Sequence, residues 1–191
     1  AKNDRGVSMV GRWDASGITD LQVYLGADAG GASQSSGWHV QGAIAQLDIA
    51  QWQGVLDSWR STGAQFKSVS GSVQVDQLNL LGMRIEDAAV SLARAADTWR
   101  LGVSFDNGDW SLDMPQQTDQ PWRVTGSDVN GAALLAAWRG RDISNIEKNW
   151  LPRVDVSLQR LRYQSTPLGD WSFQLALDAA QVALNDLTVV V

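Results

Sequence analysis

The sequence contains no cysteine and only one histidine, His39. The absence of cysteine excludes disulfides, thiolate nucleophiles and cysteine-based zinc sites. A single histidine is too few for a metal centre that uses several imidazole ligands. We therefore predict that the chain uses no cofactor and no metal ion.

Positive charge and long apolar runs are also scarce. The chain has 15 lysines and arginines against 21 aspartates and glutamates, which gives a net charge of −6. Nucleic-acid binding depends on basic side chains that neutralise phosphates, so we predict no nucleic-acid partner. No run of about 18 apolar residues is present, and we expect no membrane span within these residues.

The two ends of the sequence carry no recognisable signal. The first ten residues, AKNDRGVSMV, lack the apolar core of a signal peptide. The last three, Val189–Val191, fall inside a predicted strand. We therefore expect an internal segment of a longer chain, with any anchor or export signal outside it.

One stretch of the chain has a pattern of apolar and polar residues that occurs twice. Residues 72–92, SVQVDQLNLLGMRIEDAAVSL, align without a gap with residues 155–175, DVSLQRLRYQSTPLGDWSFQL, at an offset of 83. Most identities differ, but the pattern of apolar and polar positions is the same. This indicates a repeated structural unit rather than a catalytic motif.

Most apolar residues alternate with polar ones, which is typical of strands. Residues 48–60 and 128–139 differ, because they are led by an aspartate and follow a Trp-x-Val-x-Gly strand (Trp38–Gly42 and Trp122–Gly126). We predict a short α-helix with an Asp N-cap for each. The order of elements predicts three repeats: residues 1–62 end one, residues 68–140 form a complete one, and residues 150–191 begin a third.

The repeated strands have one apolar and one polar face. In both copies the alternation slips by one residue, after Val75 and after Leu158, which predicts a β-bulge that bends the strand. Two helices of roughly 12 residues are each about 18 Å long and cannot cover a long sheet. The sheet therefore either closes on itself as a sandwich or curls into a groove open to an apolar ligand.

Residues that suggest chemistry have simpler interpretations. Asp87 and Asp170 occupy equivalent positions of the two copies, but a turn or bulge explains aspartate there better than acid–base catalysis. Residues 106–109, DNGD, indicate a hairpin rather than a calcium loop. The ten tryptophans suit core positions at strand ends, although some could line a groove for sugar rings or acyl chains. No catalytic constellation is present, and we predict that the chain is not an enzyme.

The two-copy pattern, the Leu168-Gly169 pair, the Trp-x-Val-x-Gly strand and the Asp-led helix resemble the AsmA-like proteins, the group that includes TamB and YhdP, and most closely the YhdP type. The resemblance implies a mainly β fold, an elongated, curved antiparallel β-sheet groove built from repeats, with two short α-helices. It also implies the periplasmic part of a protein that is anchored in the inner membrane of a Gram-negative bacterium.

The function implied by the resemblance is lipid transport across the cell envelope for outer-membrane biogenesis, with phospholipid acyl chains as the main partner and envelope proteins as unidentified ones. The alternative that the residues leave open is a closed β-sandwich module that binds carbohydrate or another ligand. The groove implied by the resemblance is lined by apolar side chains, which we expect to be Val73, Val75, Leu78, Leu80, Ile85, Val90, Leu92, Leu101, Val103, Val156, Leu158, Leu161, Tyr163, Leu168, Phe173 and Leu175.

Overall fold

The computed structural model describes residues 7–14, 17–26, 37–48, 68–80, 83–95, 97–106, 108–117, 120–132, 153–177 and 182–191. These residues are almost entirely in β-strands. They fall into two compact units, Ala1–Ala96 and Asp97–Val191. The predicted mainly β fold class is confirmed. No helix in the described ranges has the length and apolarity that a membrane span needs.

The first unit is one open sheet whose strands follow chain order. β1 pairs antiparallel with β2, and β4 pairs antiparallel with β5. The central strand β3 is parallel to both of its neighbours, β2 and β4. The strand bounds are β1 Val7–Asp14, β2 Gly17–Leu25, β3 Trp38–Asp48, β4 Val69–Leu80 and β5 Met83–Ala95.

The second unit is also one open sheet in chain order. All neighbouring strands in it are antiparallel except β8 and β9, which are parallel. The strand bounds are β6 Thr98–Phe105, β7 Gly108–Pro115, β8 Trp122–Ser127, β9 Val154–Tyr163, β10 Thr166–Leu177 and β11 Val182–Val190.

The parallel pairs correct one part of the prediction, because the pairing is mixed rather than wholly antiparallel. Parallel neighbours need a connection that carries the chain back, usually a dozen residues or more. Residues 26–37, 49–68 and 128–153 provide these connections. The alternation of apolar residues within a strand does not reveal the direction of its neighbour, so the sequence pattern did not distinguish the two arrangements.

Both predicted helices fall in these connections. The first begins in sequence at Asp48, which is the last residue of β3, and residues 49–60 lie outside the described part of the chain. In the second, residues 131 and 132 are helical, and residues 133–139 lie outside the description.

The N-cap of the second helix lies two residues later than predicted. Asn130 Oδ1 accepts a hydrogen bond from the backbone N–H of Ala132 at 3.2 Å, which is the usual capping contact. Asp128 has a left-handed backbone (φ 55°), and its carboxylate accepts hydrogen bonds from Arg160 instead. The predicted Asp cap is therefore wrong at this helix, because the aspartate forms an ion pair with the next strand.

The predicted bulge is confirmed in the second copy of the repeat. The register between β9 and β10 shifts between Pro167 and Gly169 and again between Gly169 and Trp171. Arg160 and Gly169 have left-handed backbones at this place, with φ of 51° and 80°. Asp170 Oδ1 accepts the backbone N–H of Arg160 at 2.7 Å, so this aspartate supports the irregular backbone.

The first copy of the repeat has a different irregularity at the equivalent place. The β3–β4 and β4–β5 registers continue without a shift, but no partner is assigned between residues 45 and 76 or between residues 76 and 87. Asp87 is left-handed there, with φ of 52°. We name Ala45, Asp76 and Asp87 the kink line, because the three exposed residues lie at one level of three adjacent strands.

At the kink line, the alternation of apolar and polar residues shifts by one position in β3, β4 and β5. The apolar residues on either side are three apart, Ile44 and Leu47 in β3, Val75 and Leu78 in β4, and Ile85 and Ala88 in β5. Because every strand slips equally, apolar residues stay opposite apolar residues and the ladder keeps its register. In this copy the predicted bulge is therefore replaced by a phase change that three strands share.

The divisions at residues 1–62, 68–140 and 150–191 remain predictions. The compact units divide at Ala96 and Asp97, between β5 and β6. A boundary between compact units is a different property from a boundary between sequence repeats.

We expect Val75→Ala to lower the free energy of unfolding by about 2–3 kcal/mol, because it removes two methyl groups from a fully buried site. The matched control is Val7→Ala, where the side chain is 60% exposed, and its effect should stay under about 0.5 kcal/mol. Chemical denaturation followed by tryptophan fluorescence measures both. Equal losses for the two variants would contradict the burial pattern.

Candidate functional site: an apolar sheet face

In the first unit, the pairing of β4 with β5 brings predicted lining residues together on one face. Val73 lies opposite Val90, and Leu78 lies opposite Ile85. Leu78 and Val75 have no exposed surface, whereas Val73 is half-buried. These residues form the packed part of the face, so Leu78 is a core position rather than an open lining position.

In the second unit, one row of apolar residues crosses five consecutive strands. Each member is the registered partner of the next along β6, β7, β8, β9 and β10. Four members are half-buried and Val156 is 9% exposed. We name this the central row, and it consists of Leu101, Leu112, Val124, Val156 and Phe173.

A second row lies beside it on the same face, because its members are two residues away along each strand. We name it the tryptophan row, and it consists of Val103, Trp110, Gly126, Leu158 and Trp171. On the other side of the central row, Trp122, Val154 and Leu175 follow one another in register. The apolar face of this unit is therefore continuous over three rows.

Gly126 is the point where the apolar face has no side chain of its own. A Cβ atom there would lie 2.8 Å from Val129 Cγ2, 3.1 Å from Trp110 Cζ3 and 3.2 Å from Leu158 Cδ2. The side chains of these three residues thus meet over the glycine. This close packing explains the glycine of the second Trp-x-Val-x-Gly pattern.

The predicted lining residues differ in how far they are open. Tyr163 is exposed, and the side chain of Leu80, the last residue of β4, lies outside the described part of the chain. The buried residues are Val75, Leu78, Ile85, Val90, Val103, Val156 and Leu161. The half-buried residues are Val73, Leu92, Leu101, Leu158, Leu168, Phe173 and Leu175.

Leu161, Tyr163 and Leu168 lie outside the three rows, beyond the register shifts of β9 and β10. The sequence-based set also missed β7 and β8, although it included Leu101 and Val103 of the neighbouring strand β6. These two strands could have been identified from their alternating apolar residues, which are Trp110, Leu112 and Met114 in β7 and Trp122 and Val124 in β8. The other tryptophan at a core position is Trp99, which is 4% exposed and pairs with Met114.

The opposite face of the second unit carries a row of alternating charge. Arg100, Asp113, Arg123 and Asp155 are successive registered partners from β6 to β9. Arg100 donates two hydrogen bonds to the Asp113 carboxylate, at 2.6 and 3.0 Å. Hydrogen bonds from Arg100 hold the pKa of Asp113 below its ordinary value, and partial burial opposes this effect.

A row of small polar side chains lies next to the charged row. Its members, which are also registered partners, are Ser111, Thr125, Ser157, Ser172 and Thr188. Polar and apolar rows thus occupy opposite faces of the same sheet. Only the apolar face offers a surface for an apolar ligand.

A small exposed ion pair stabilises the irregular part of β9. Arg160 donates to Asp128 at 2.7 and 2.6 Å, and these hydrogen bonds hold the pKa of Asp128 below its ordinary value. Two backbone contacts accompany it, from Asp128 N–H to Gln159 O and from Arg162 N–H to Val129 O. Their arrangement beside the bulge indicates a structural role.

Among the described residues of the first unit, His39 and Ser70 form the one contact that suggests a catalytic pair. The two residues are registered partners in β3 and β4, and His39 Nδ1 lies 2.5 Å from Ser70 Oγ. This contact was not predicted, because the two residues are 31 positions apart. Strand register alone accounts for it. Among the described residues, no cluster of three or more His, Asp or Glu side chains suits a metal ion.

Comparison with known protein families gives a match to the YhdP protein family over residues 3–191. No curated protein and no solved structure matches the chain.

The Arg100–Asp113 pair should stabilise the fold at neutral pH by at most about 1 kcal/mol, because Arg100 is largely exposed. The pKa of Asp113 is lowered on folding, so this contribution is present above the pKa of an unfolded aspartate, about 3.9, and is lost as the pH falls through the folded value. A double-mutant cycle with Arg100→Gln and Asp113→Asn should therefore show coupling at pH 7 that disappears near pH 2. Coupling that is equal at both pH values would contradict the assignment.

Proposed function

Because the chain belongs to the YhdP family, we propose that it is a segment of a hydrophobic β-groove that carries phospholipids between the inner and outer membranes. The observation that carries this proposal is the central row, in which five consecutive strands place Leu101, Leu112, Val124, Val156 and Phe173 side by side. The family belongs to the Gram-negative cell envelope.

The length of the central row suits an acyl chain. Neighbouring strands lie about 4.8 Å apart, so five strands span about 19 Å. One leaflet contributes about 15 Å to the hydrocarbon core of a bilayer. A single lipid tail lying across the strands would therefore remain in contact with apolar side chains along its whole length.

The energetics favour such a surface. Exposing an acyl chain to water costs about 0.8 kcal/mol for each CH₂ group. A face without charged side chains offsets much of that cost and needs no sequence-specific contact. The half-buried members of the central row have surface left for a ligand, in contrast to Val75 and Leu78, whose surface is used by the fold.

The proposal extends to location and partners. We place the chain in the periplasm, as part of a protein anchored in the inner membrane, with phospholipid acyl chains as the ligand and other envelope proteins as partners. The role is transport rather than catalysis.

The alternative of a closed carbohydrate-binding sandwich has less support. Within each unit the described strands belong to one sheet, so neither unit is a sandwich by itself. Trp99 and Trp122 are 4% and 7% exposed, and such buried rings cannot act as stacking platforms for sugars.

The proposal is tested by photo-crosslinking on the two faces of one strand. We expect p-benzoylphenylalanine at Phe173 to capture phospholipid when the protein is incubated with phosphatidylethanolamine–phosphatidylglycerol vesicles, because this side chain belongs to the central row. Ser172, its neighbour on the polar face of β10, is the matched control and should capture none. Mass spectrometry identifies the adducts.

A second pair, Leu112 and Ser111 on β7, repeats the comparison at another strand. Capture at Phe173 and Leu112 alone supports the groove. Equal capture on both faces, or no lipid adduct at either apolar position, would show that the apolar face is not a lipid path.

A further inference from the structure

The apolar face of the second unit contains a hydrogen-bond donor that the fold does not use. Trp110 Nε1 is screened from solvent and has no hydrogen-bond partner in the described structure. The side chain as a whole is half-buried, so part of its ring remains open. Buried N–H groups are nearly always paired, and an exception points to a partner that the protein alone does not supply.

The orientation of the indole separates its N–H from the packed glycine. Trp110 Cζ3 lies 3.1 Å from the position that a Cβ of Gly126 would take. In an indole ring Cζ3 is on the side opposite to the ring carbon that carries Nε1. The benzene edge therefore rests over Gly126, and the N–H points away from it.

The indole N–H of another tryptophan in the same row, Trp171, does have a hydrogen-bond acceptor. Trp171 lies in the tryptophan row on β10, and its Nε1–H donates to Leu168 O at 2.9 Å. The two tryptophans have similar exposure and share one face, but only Trp171 has a backbone carbonyl within reach. The free donor is thus a property of one position and not of the row.

We propose that the Trp110 indole turns out of its screened position when lipid binds, and that its Nε1–H then donates a hydrogen bond to an ester carbonyl oxygen of the bound phospholipid. This inference rests on the proposed function and adds a polar contact to an otherwise apolar path.

The ester carbonyl is favoured over the phosphate by its surroundings. Val103 and Gly126 flank Trp110 across the sheet, and Leu112 follows it on the same face. Moving a phosphate charge into such surroundings costs far more than moving a neutral carbonyl. The carbonyls are also the first acceptors met beyond the acyl chains, which the central row would hold.

Trp110→Phe tests the proposal, because phenylalanine keeps an aromatic ring and removes the N–H. Trp171→Phe is the matched control with the same loss of volume in the same row. We expect Trp110→Phe to weaken binding of dioleoyl phosphatidylethanolamine by about threefold to tenfold, the usual worth of one hydrogen bond. Binding of the ether-linked dialkyl analogue, which has no carbonyl, should not change beyond the effect of the control.

The outcomes separate the two proposals. Unchanged affinity of Trp110→Phe for the ester lipid would overturn the carbonyl contact and leave the groove intact. Equal weakening for ester and ether lipids, beyond that of Trp171→Phe, would assign the donor to the phosphate and also overturn it. If the unaltered protein bound neither lipid, the proposed function itself would fail.

A direct measurement does not depend on the variants folding equally well. In ¹⁵N-labelled protein, the indole N–H resonance of Trp110 should move downfield when the ester lipid is added and stay in place with the ether analogue. The Trp171 N–H already donates to Leu168 O, so its resonance should show the same small change with both lipids. A stationary Trp110 resonance at saturating ester lipid would exclude the hydrogen bond.

Discussion

Cross-strand register is the constraint on which the other features of this protein depend. The backbone ladder holds opposite side chains about 4.5–5.5 Å apart, so residues that alternate along one strand become rows across many strands. In the second unit this produces the central and tryptophan rows on one face and the charged row on the other. A slip of one residue in any strand would interrupt every row at once.

Much of this arrangement could be predicted from the sequence. Period-two alternation predicted a chain rich in strands, and the described residues are almost entirely in strands. The strand signal was strong because each strand has one buried and one solvated face. In both copies of the repeat, the two strands pair with each other as a hairpin with a short connection.

Other features depend on the partner strand and could not be predicted. The parallel neighbours of β3 and β8 are set by how long connections return, which alternation within a strand does not encode. The cap at Asn130 depends on Arg160 binding Asp128 from 32 residues away. The unused donor of Trp110 depends on the absence of a carbonyl near its indole, whereas Trp171 has one in its own strand.

The kink line gives the first unit a particular evolutionary constraint. Ala45, Asp76 and Asp87 change the phase of three strands at one level, and no register is lost because the changes are equal. Deleting one residue from a single strand at this level would turn the apolar residues beyond it to the solvent side, while its neighbours kept theirs. A length change at the kink therefore requires either equal changes in all three strands, although these positions are far apart in the sequence, or a register shift of the kind found between β9 and β10.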